Sequence, residues 1–265
     1  MNYKSLILKL GAQTSQKAPF TLRLSSSTGR SFFIIGTLHT FEPTDSLISY
    51  IQNGWEEFLK IPGEKIAIIE RRGKLDPQSL EGAIQTYGEA GAVYWFASKA
   101  GVQVVCPEPR YYQDVTVELC KRFDPEDVCY RQIGDALSWR TRIHSQSSLE
   151  EDLERLVADR AKHQDIFGFQ PTVAWFMEKH HRLFGDQDIG DELFWKKTMN
   201  SAASMNTVFG KILAATEEIR NEAIFDKITE LWHQGRNLFM VYGKTHIELF
   251  EPALRALVEK EEGDR

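Results

Sequence analysis

The chain has 265 residues and a formal net charge of −6, with 42% apolar and 26% charged residues. This composition predicts one large globular domain, and the acidic balance argues against nonspecific binding to nucleic acid or to an anionic membrane. No stretch has the ~18 apolar residues that a membrane-spanning helix needs. Three cysteines that form no CxxC pair predict reduced thiols in a cytoplasmic protein.

The first 110 residues predict strands alternating with helices. A β-hairpin is expected at 20–40, with a buried second strand at Phe32–Ile35. The later predicted elements of this part are a helix at 45–60 with Asp45 as N-cap, a buried strand at 65–70, one or two helices at 77–101 that close at Gly101, and a short strand at 102–109.

The rest of the chain is predicted to be mostly helical up to residue 235, followed by an apolar strand at 236–246 and a last helix that begins at Pro252. This order predicts an α/β fold: a mostly parallel central β-sheet flanked by helices, with a large helical insertion or cap. The predicted sheet core of this single domain covers about 18–112 and 216–262, and the insertion covers about 113–215.

Chemically useful side chains follow each predicted strand of the sheet core. His39 follows the first buried strand, Glu70 the second and His246 the last. In open α/β sheets, ligands bind outside the carboxyl ends of the strands, so we expect these side chains to converge. Further candidates at the same strand ends are the carboxylates Glu42 and Glu108 and the cations Arg71, Arg72 and Arg110.

Both histidines stand in a Gly-x-x-His motif, "GTLH" at 36–39 and "GKTH" at 243–246. A lone histidine after a strand is usually structural, and Glu70 by itself could serve as the ion-pair partner of an arginine at the sheet edge. Two matching motifs with a strand-terminal glutamate between them favour a functional site. Glu89, near a predicted helix start, is expected to be a cap or solvated, and Cys106 is expected to be a buried thiol.

The segments "IIGTLHT", "AIIERR", "RNEAI" and "LFMVYGKTHIELFEPALRALV" resemble the TraB/PrgY and Tiki family, and more remotely the erythromycin esterases and the ChaN haem-uptake proteins. The resemblance implies a metal-dependent hydrolase of peptides or esters. It places the site on His39, Glu70 and His246, with Arg220 supporting them from the Arg-Asn pair. Where the family commonly has Gly-Ala-Gly-His, this chain has Gly-Lys-Thr-His.

The leading hypothesis is that His39, Glu70 and His246 bind a divalent Mn, Zn, Co or Fe ion, which lowers the pKa of bound water from about 15.7 towards ~7. A carboxylate, Glu108 or Glu42, would act as general base or further ligand, and Arg71, Arg72 or Arg110 would stabilise an oxyanion. Two alternatives stay open. One is a metal-free esterase with His39 as general base. The other is a protein that binds haem, metal or a peptide without turnover. The expected partner is a peptide or a small ester-containing substrate.

Overall fold

The computed structural model describes residues 3–10, 17–71, 75–140, 147–200 and 204–263, with the backbone alone at 261–263. The chain divides into two compact units. The first unit comprises Met1–Pro109 and Arg220–Arg265, and the second comprises Arg110–Ile219. The predicted helical insertion, 113–215, falls inside the second unit.

The first unit contains a five-stranded sheet with the strand order β1-β2-β5-β3-β4. The first strand pairs antiparallel with the second, and the other neighbouring strands are parallel. The mostly parallel α/β sheet predicted from the sequence is therefore confirmed. The strands are β1 (Phe20–Ser25), β2 (Ser31–Thr37), β3 (Lys65–Ile69), β4 (Gln103–Val105) and β5 (Asn237–Gly243).

The central strands are apolar because helices cover both faces of the sheet. All seven residues of β5 are buried, as expected for a parallel strand with two covered faces. On one face, side chains such as Ile34 and Met240 pack against Trp232 and Leu254. On the other face, alternate strand residues pack against α1 (Ser46–Leu59) and α2 (Leu80–Ala100).

The helices that follow the first strands match the sequence predictions at their ends. The Asp45 side chain accepts a hydrogen bond from the Leu47 N–H and caps α1, as predicted. The second helix closes at Gly101, which has a left-handed backbone. It is also kinked at Gly88, where φ is 65° and ψ is −152°. A Cβ at Gly88 would lie 2.8 Å from the Thr40 carbonyl oxygen, so this position requires glycine.

The end of the chain differs from the prediction. The last strand, β5, stops at Gly243 rather than at residue 246, and α10 (Lys244–Gly263) follows at once. Pro252 lies inside this helix instead of at its start. Proline is common in the first turn of a helix, which is why the sequence indicated a later start. His246 therefore stands on the first turn of a helix and not on a strand end.

The second unit is helical in its described residues, as predicted. Its core contains Val128, Ile133, Phe176 and Trp195. A capping box between Ser148 and Glu151 starts one of its helices. The helices that begin in this unit are α3 (Val117–Arg122), α4 (Pro125–Leu137), α5 (Leu149–Ala161), α6 (Gln164–Phe167), α7 (Val173–Phe184), α8 (Glu192–Asn200) and α9 (Val208–His233). None of the helices in the described residues has the length and apolar character needed to cross a membrane.

Candidate active site

Three neighbouring parallel strands bring His39, Glu70 and His246 to one edge of the sheet. The central strand β5 pairs with β2 on one side and with β3 on the other. Thr37 pairs with Gly243, and Ile69 pairs with Val241, so the carboxyl ends of the three strands lie side by side. Glu70 directly follows β3, and the two histidines stand two and three residues beyond their strands.

Glu70 lies at the centre of this group. Its Oε2 accepts a hydrogen bond of 3.0 Å from the Gly243 N–H, and its Oε1 lies 3.5 Å from His246 Nε2. A Cβ on Gly243 would lie 3.4 Å from Glu70 Oε2 and 3.5 Å from His39 Nε2. His39 Nε2 and Glu70 Oε2 thus border the same space beside Gly243, and the missing side chain of this glycine leaves that space open.

The surroundings of Glu70 keep its carboxylate ionised. Burial alone would raise the pKa of Glu70. The hydrogen bond and charge of His246, the Gly243 N–H and the charge of His39 outweigh burial and lower the pKa to about 2. The Glu70 carboxylate is therefore negatively charged at neutral pH, as a metal ligand would be.

Each histidine is oriented through its Nδ1 atom. His39 Nδ1 lies 2.6 Å from Glu89 Oε1, and His246 Nδ1 lies 2.8 Å from Asn221 Oδ1. Both acceptors are oxygen atoms, so each Nδ1 donates, and Nε2 is the nitrogen of each ring through which an uncharged imidazole would bind a metal. A carboxylate or carbonyl that holds the far nitrogen of a ligating histidine is typical of metal centres.

Glu89 corrects one expectation from the sequence. It is not solvated, since its exposed fraction is 6%, and its carboxylate also accepts from Thr37 Oγ1 at 3.3 Å and from the Thr40 N–H at 3.2 Å. The kink at Gly88 interrupts α2 directly before Glu89. A glycine inside a helical pattern, followed at once by an acid, was the available signal in the sequence.

A second network holds Glu108 and Arg220 beside Glu70. Arg220 donates to both carboxylate oxygens of Glu108, each at 3.1 Å, and its Nη2 lies 3.4 Å from Glu70 Oε1. The Tyr242 hydroxyl donates to Glu108 at 3.1 Å, and burial raises the pKa of Tyr242 well above its usual value. Glu108 is thus an ion-pair partner of Arg220, which does not suit the predicted role of general base. Asn221 and Arg220 are consecutive, so both members of the Arg-Asn pair serve the site.

Two of the other predicted cations, Arg71 and Arg110, have their described partners elsewhere. The exposed Arg71 guanidinium stacks on the Tyr87 ring, 5.1 Å from its centroid. Arg110 belongs to the second unit, where it forms an ion pair of 2.9 Å with Asp114. Arg72 is outside the described residues.

Two further expectations concern Glu42 and Cys106. Glu42 is exposed, and its carboxylate accepts from the hydroxyl of Thr44 at 3.0 Å. Cys106 is half-buried, where the sequence predicted a buried thiol. No disulfide joins the three cysteines.

Comparison of the chain with protein-family models, with curated proteins and with solved structures found no match. The resemblance to the TraB/PrgY and Tiki family therefore stays a prediction from the paired motifs.

The charges in the site fit a divalent cation. The group contains three carboxylates, Glu70, Glu89 and Glu108, and Arg220 forms ion pairs with Glu70 and Glu108. Counted with uncharged imidazoles, the state in which histidine binds a metal, these side chains sum to a formal charge of −2. Two donors held about 2.1 Å from one ion at a tetrahedral angle are roughly 3.4 Å apart, close to the 3.5 Å between His246 Nε2 and Glu70 Oε1. Within the described residues, no three His, Cys, Asp or Glu side chains already stand at ligand spacing around one point. His39 would therefore have to move inward to complete the set.

Proposed function

We propose that the protein is a hydrolase of peptide or ester bonds whose site holds a divalent metal on His39, Glu70 and His246. The observation that carries this proposal is the arrangement of the two imidazoles. Each has its Nδ1 held by an oxygen. His246 Nε2 lies 3.5 Å from Glu70 Oε1, and His39 Nε2 and Glu70 Oε2 both lie within 3.5 Å of the position that a Cβ on Gly243 would take. Two imidazoles and an ionised carboxylate are donor types that a divalent ion binds.

When bound, a divalent metal would polarise a substrate carbonyl and lower the pKa of a water molecule from about 15.7 towards ~7. The residues of the chain would orient the ligands and balance the charge of the site. Glu89 and Asn221 fix the ring orientation of the two histidines. Arg220 neutralises Glu108 and restrains Glu70. Arg71, which is exposed and directly follows Glu70 in the chain, would meet negative charge on a substrate.

A metal-free hydrolase is the second candidate, and the His39–Glu89 pair favours it. The side chain of His39 is 43% exposed, and its Nδ1 donates to a buried carboxylate at 2.6 Å. A histidine oriented in this way through Nδ1 can accept a proton from water at Nε2, as a general base does. Both candidates use His39, so they differ in their response to a chelator and not in their response to its mutation.

The test is a hydrolysis assay with a panel of peptides and p-nitrophenyl esters before and after dialysis against a chelator. We expect kcat/KM to fall about 100-fold or more after dialysis and to return when Mn²⁺, Zn²⁺, Co²⁺ or Fe²⁺ is added back. A His39→Ala preparation purified in parallel reports contaminating hydrolases. Activity that survives the chelator would select the metal-free scheme. A metal-loaded protein that hydrolyses nothing would contradict the proposal and favour a binding protein.

Glu89→Gln should weaken metal binding by about 10- to 100-fold, the usual cost of removing the partner of a ligating histidine. The glutamine keeps the size of the side chain but loses the charge that faces His39 Nδ1. Metal affinity is measured by competition with a chromophoric chelator. Glu81→Gln, in the exposed first turn of α2, is the matched control and should bind metal like the wild type. Equal affinities in both variants would show that Glu89 does not position His39.

A further inference from the structure

Two apolar side chains stand exposed on either side of His39. Leu38 is 63% exposed and Phe41 is 44% exposed. Among the described residues of the first unit, the next most exposed large apolar side chain is Leu59, at 38%. Because consecutive Cα atoms are 3.8 Å apart, both side chains start within about 7 Å of the His39 Cα. The largest apolar exposure of this unit is thus concentrated at the candidate catalytic histidine.

The segment that carries these side chains is held in place. The Thr40 N–H donates to Glu89, the Glu42 N–H donates to Thr40 Oγ1 at 3.2 Å, and the Asp45 N–H donates to the Glu42 carbonyl at 3.1 Å. The Phe41 ring lies 3.5 Å from the position of a Cβ on Gly88, against the kink of α2. An ordered apolar surface binds a ligand at a smaller entropic cost than a mobile one.

We propose that Leu38 and Phe41 form an apolar subsite, and that the substrate carries a neutral apolar acyl or side-chain group next to its scissile bond. This inference rests on the proposed hydrolytic role of the adjacent site. The occupant is small, since two side chains offer a few hundred Å² at most, whereas stable protein interfaces bury about 1,200 Å² or more. It is neutral, because an apolar surface disfavours any charged group and the carboxylates of Glu70, Glu89 and Glu108 further disfavour an anionic one.

The kinetic test uses p-nitrophenyl esters with acyl chains of two, four, six and eight carbons, each corrected for its spontaneous hydrolysis. A fully buried methylene is worth about fourfold in affinity, so this open subsite should raise kcat/KM about twofold for each added carbon. Leu38→Ser and Phe41→Ser should each flatten this dependence. Leu59→Ser, on α1, is the matched control and should keep the wild-type slope. A flat wild-type series, or slopes unchanged in both subsite variants, would overturn the inference.

A binding experiment separates failure of the subsite from failure of the proposed function. The N-methylamides of the same four acids are titrated into protein with ¹³C-labelled leucine methyl groups, and the Leu38 signals are assigned with Leu38→Ile. Saturable shifts of Leu38 that tighten with chain length support the subsite even if no ester is hydrolysed, a result that would overturn the hydrolase alone. Hydrolysis without such shifts and without chain-length dependence would overturn the subsite alone.

Discussion

Replacing His39 or His246 by alanine should lower kcat/KM by roughly 1,000-fold or more, and the double variant should be no worse than either single variant. Groups that act as one unit lose most of their effect when any member is removed, so their losses do not add. His246 Nε2 lies 3.5 Å from Glu70, and His39 Nε2 and Glu70 Oε2 border the same space beside Gly243, so the three residues form such a unit in the proposed site. Steady-state kinetics on the best substrate of the panel, with every variant assayed in the same metal-supplemented buffer, measure the losses.

His233→Ala is the control for this experiment. His233 ends α9 within the first unit and is exposed, so its removal should leave kcat/KM within about twofold of the wild type. Far-UV circular dichroism and the urea midpoint check that every variant is folded. Losses of His39 and His246 that multiply in the double variant would mean that the two residues act in separate steps, against the shared centre.

Arg220→Met should destabilise the protein by about 3–5 kcal/mol, the typical cost of removing one partner from a buried ion pair. Arg220 lies between Glu70 and Glu108 and contacts both, so its loss leaves two mostly buried like charges together. The free energy of unfolding is measured by urea denaturation in the presence of a chelator, because a bound metal would add its own stabilisation.

Two further variants test whether the stability lost in Arg220→Met comes from the uncompensated carboxylates of Glu70 and Glu108. Arg255→Met removes an exposed ion pair with Glu251 on α10 and should cost less than about 1 kcal/mol. Adding Glu108→Gln to Arg220→Met should recover part of the lost stability, since one of the uncompensated charges disappears. A cost for Arg220→Met equal to that of Arg255→Met, with no recovery in the double variant, would contradict the bridging role.

The sheet could be predicted because its strands are buried on both faces. Runs such as Phe32–Ile35 and Leu238–Val241 are apolar without interruption. Such a run is typical of a parallel strand that is covered on both faces, and it can be recognised without knowledge of the neighbouring elements. His39 and Glu70 were found by position alone, since each follows such a run. The predicted end of the last strand was wrong for two reasons. The segment "YGKTH" contains no local signal that separates a strand end from the first turn of a helix, and Pro252 suggested a later helix start.

The partners of the histidines could not be predicted from local patterns. Glu89 meets His39 across 50 residues, and it does so because Gly88 breaks α2 at the point where the Thr40 carbonyl approaches. Periodicity describes one element at a time and contains no information on which two elements touch. The contact of Glu108 with Arg220, 112 residues away, could not be predicted for the same reason. The sequence therefore suggested a general base at Glu108, where the structure has a mostly buried ion-pair partner.

The most direct test of the central claim is the metal content of the purified protein, measured by plasma mass spectrometry beside the His39→Ala/His246→Ala variant. A divalent centre on these residues predicts close to one equivalent of Mn, Zn, Co or Fe in the wild type after reconstitution and almost none in the variant. His233→Ala should retain the wild-type content. No metal in the reconstituted wild type, or equal amounts in the wild type and the double variant, would contradict a metal centre at His39, Glu70 and His246.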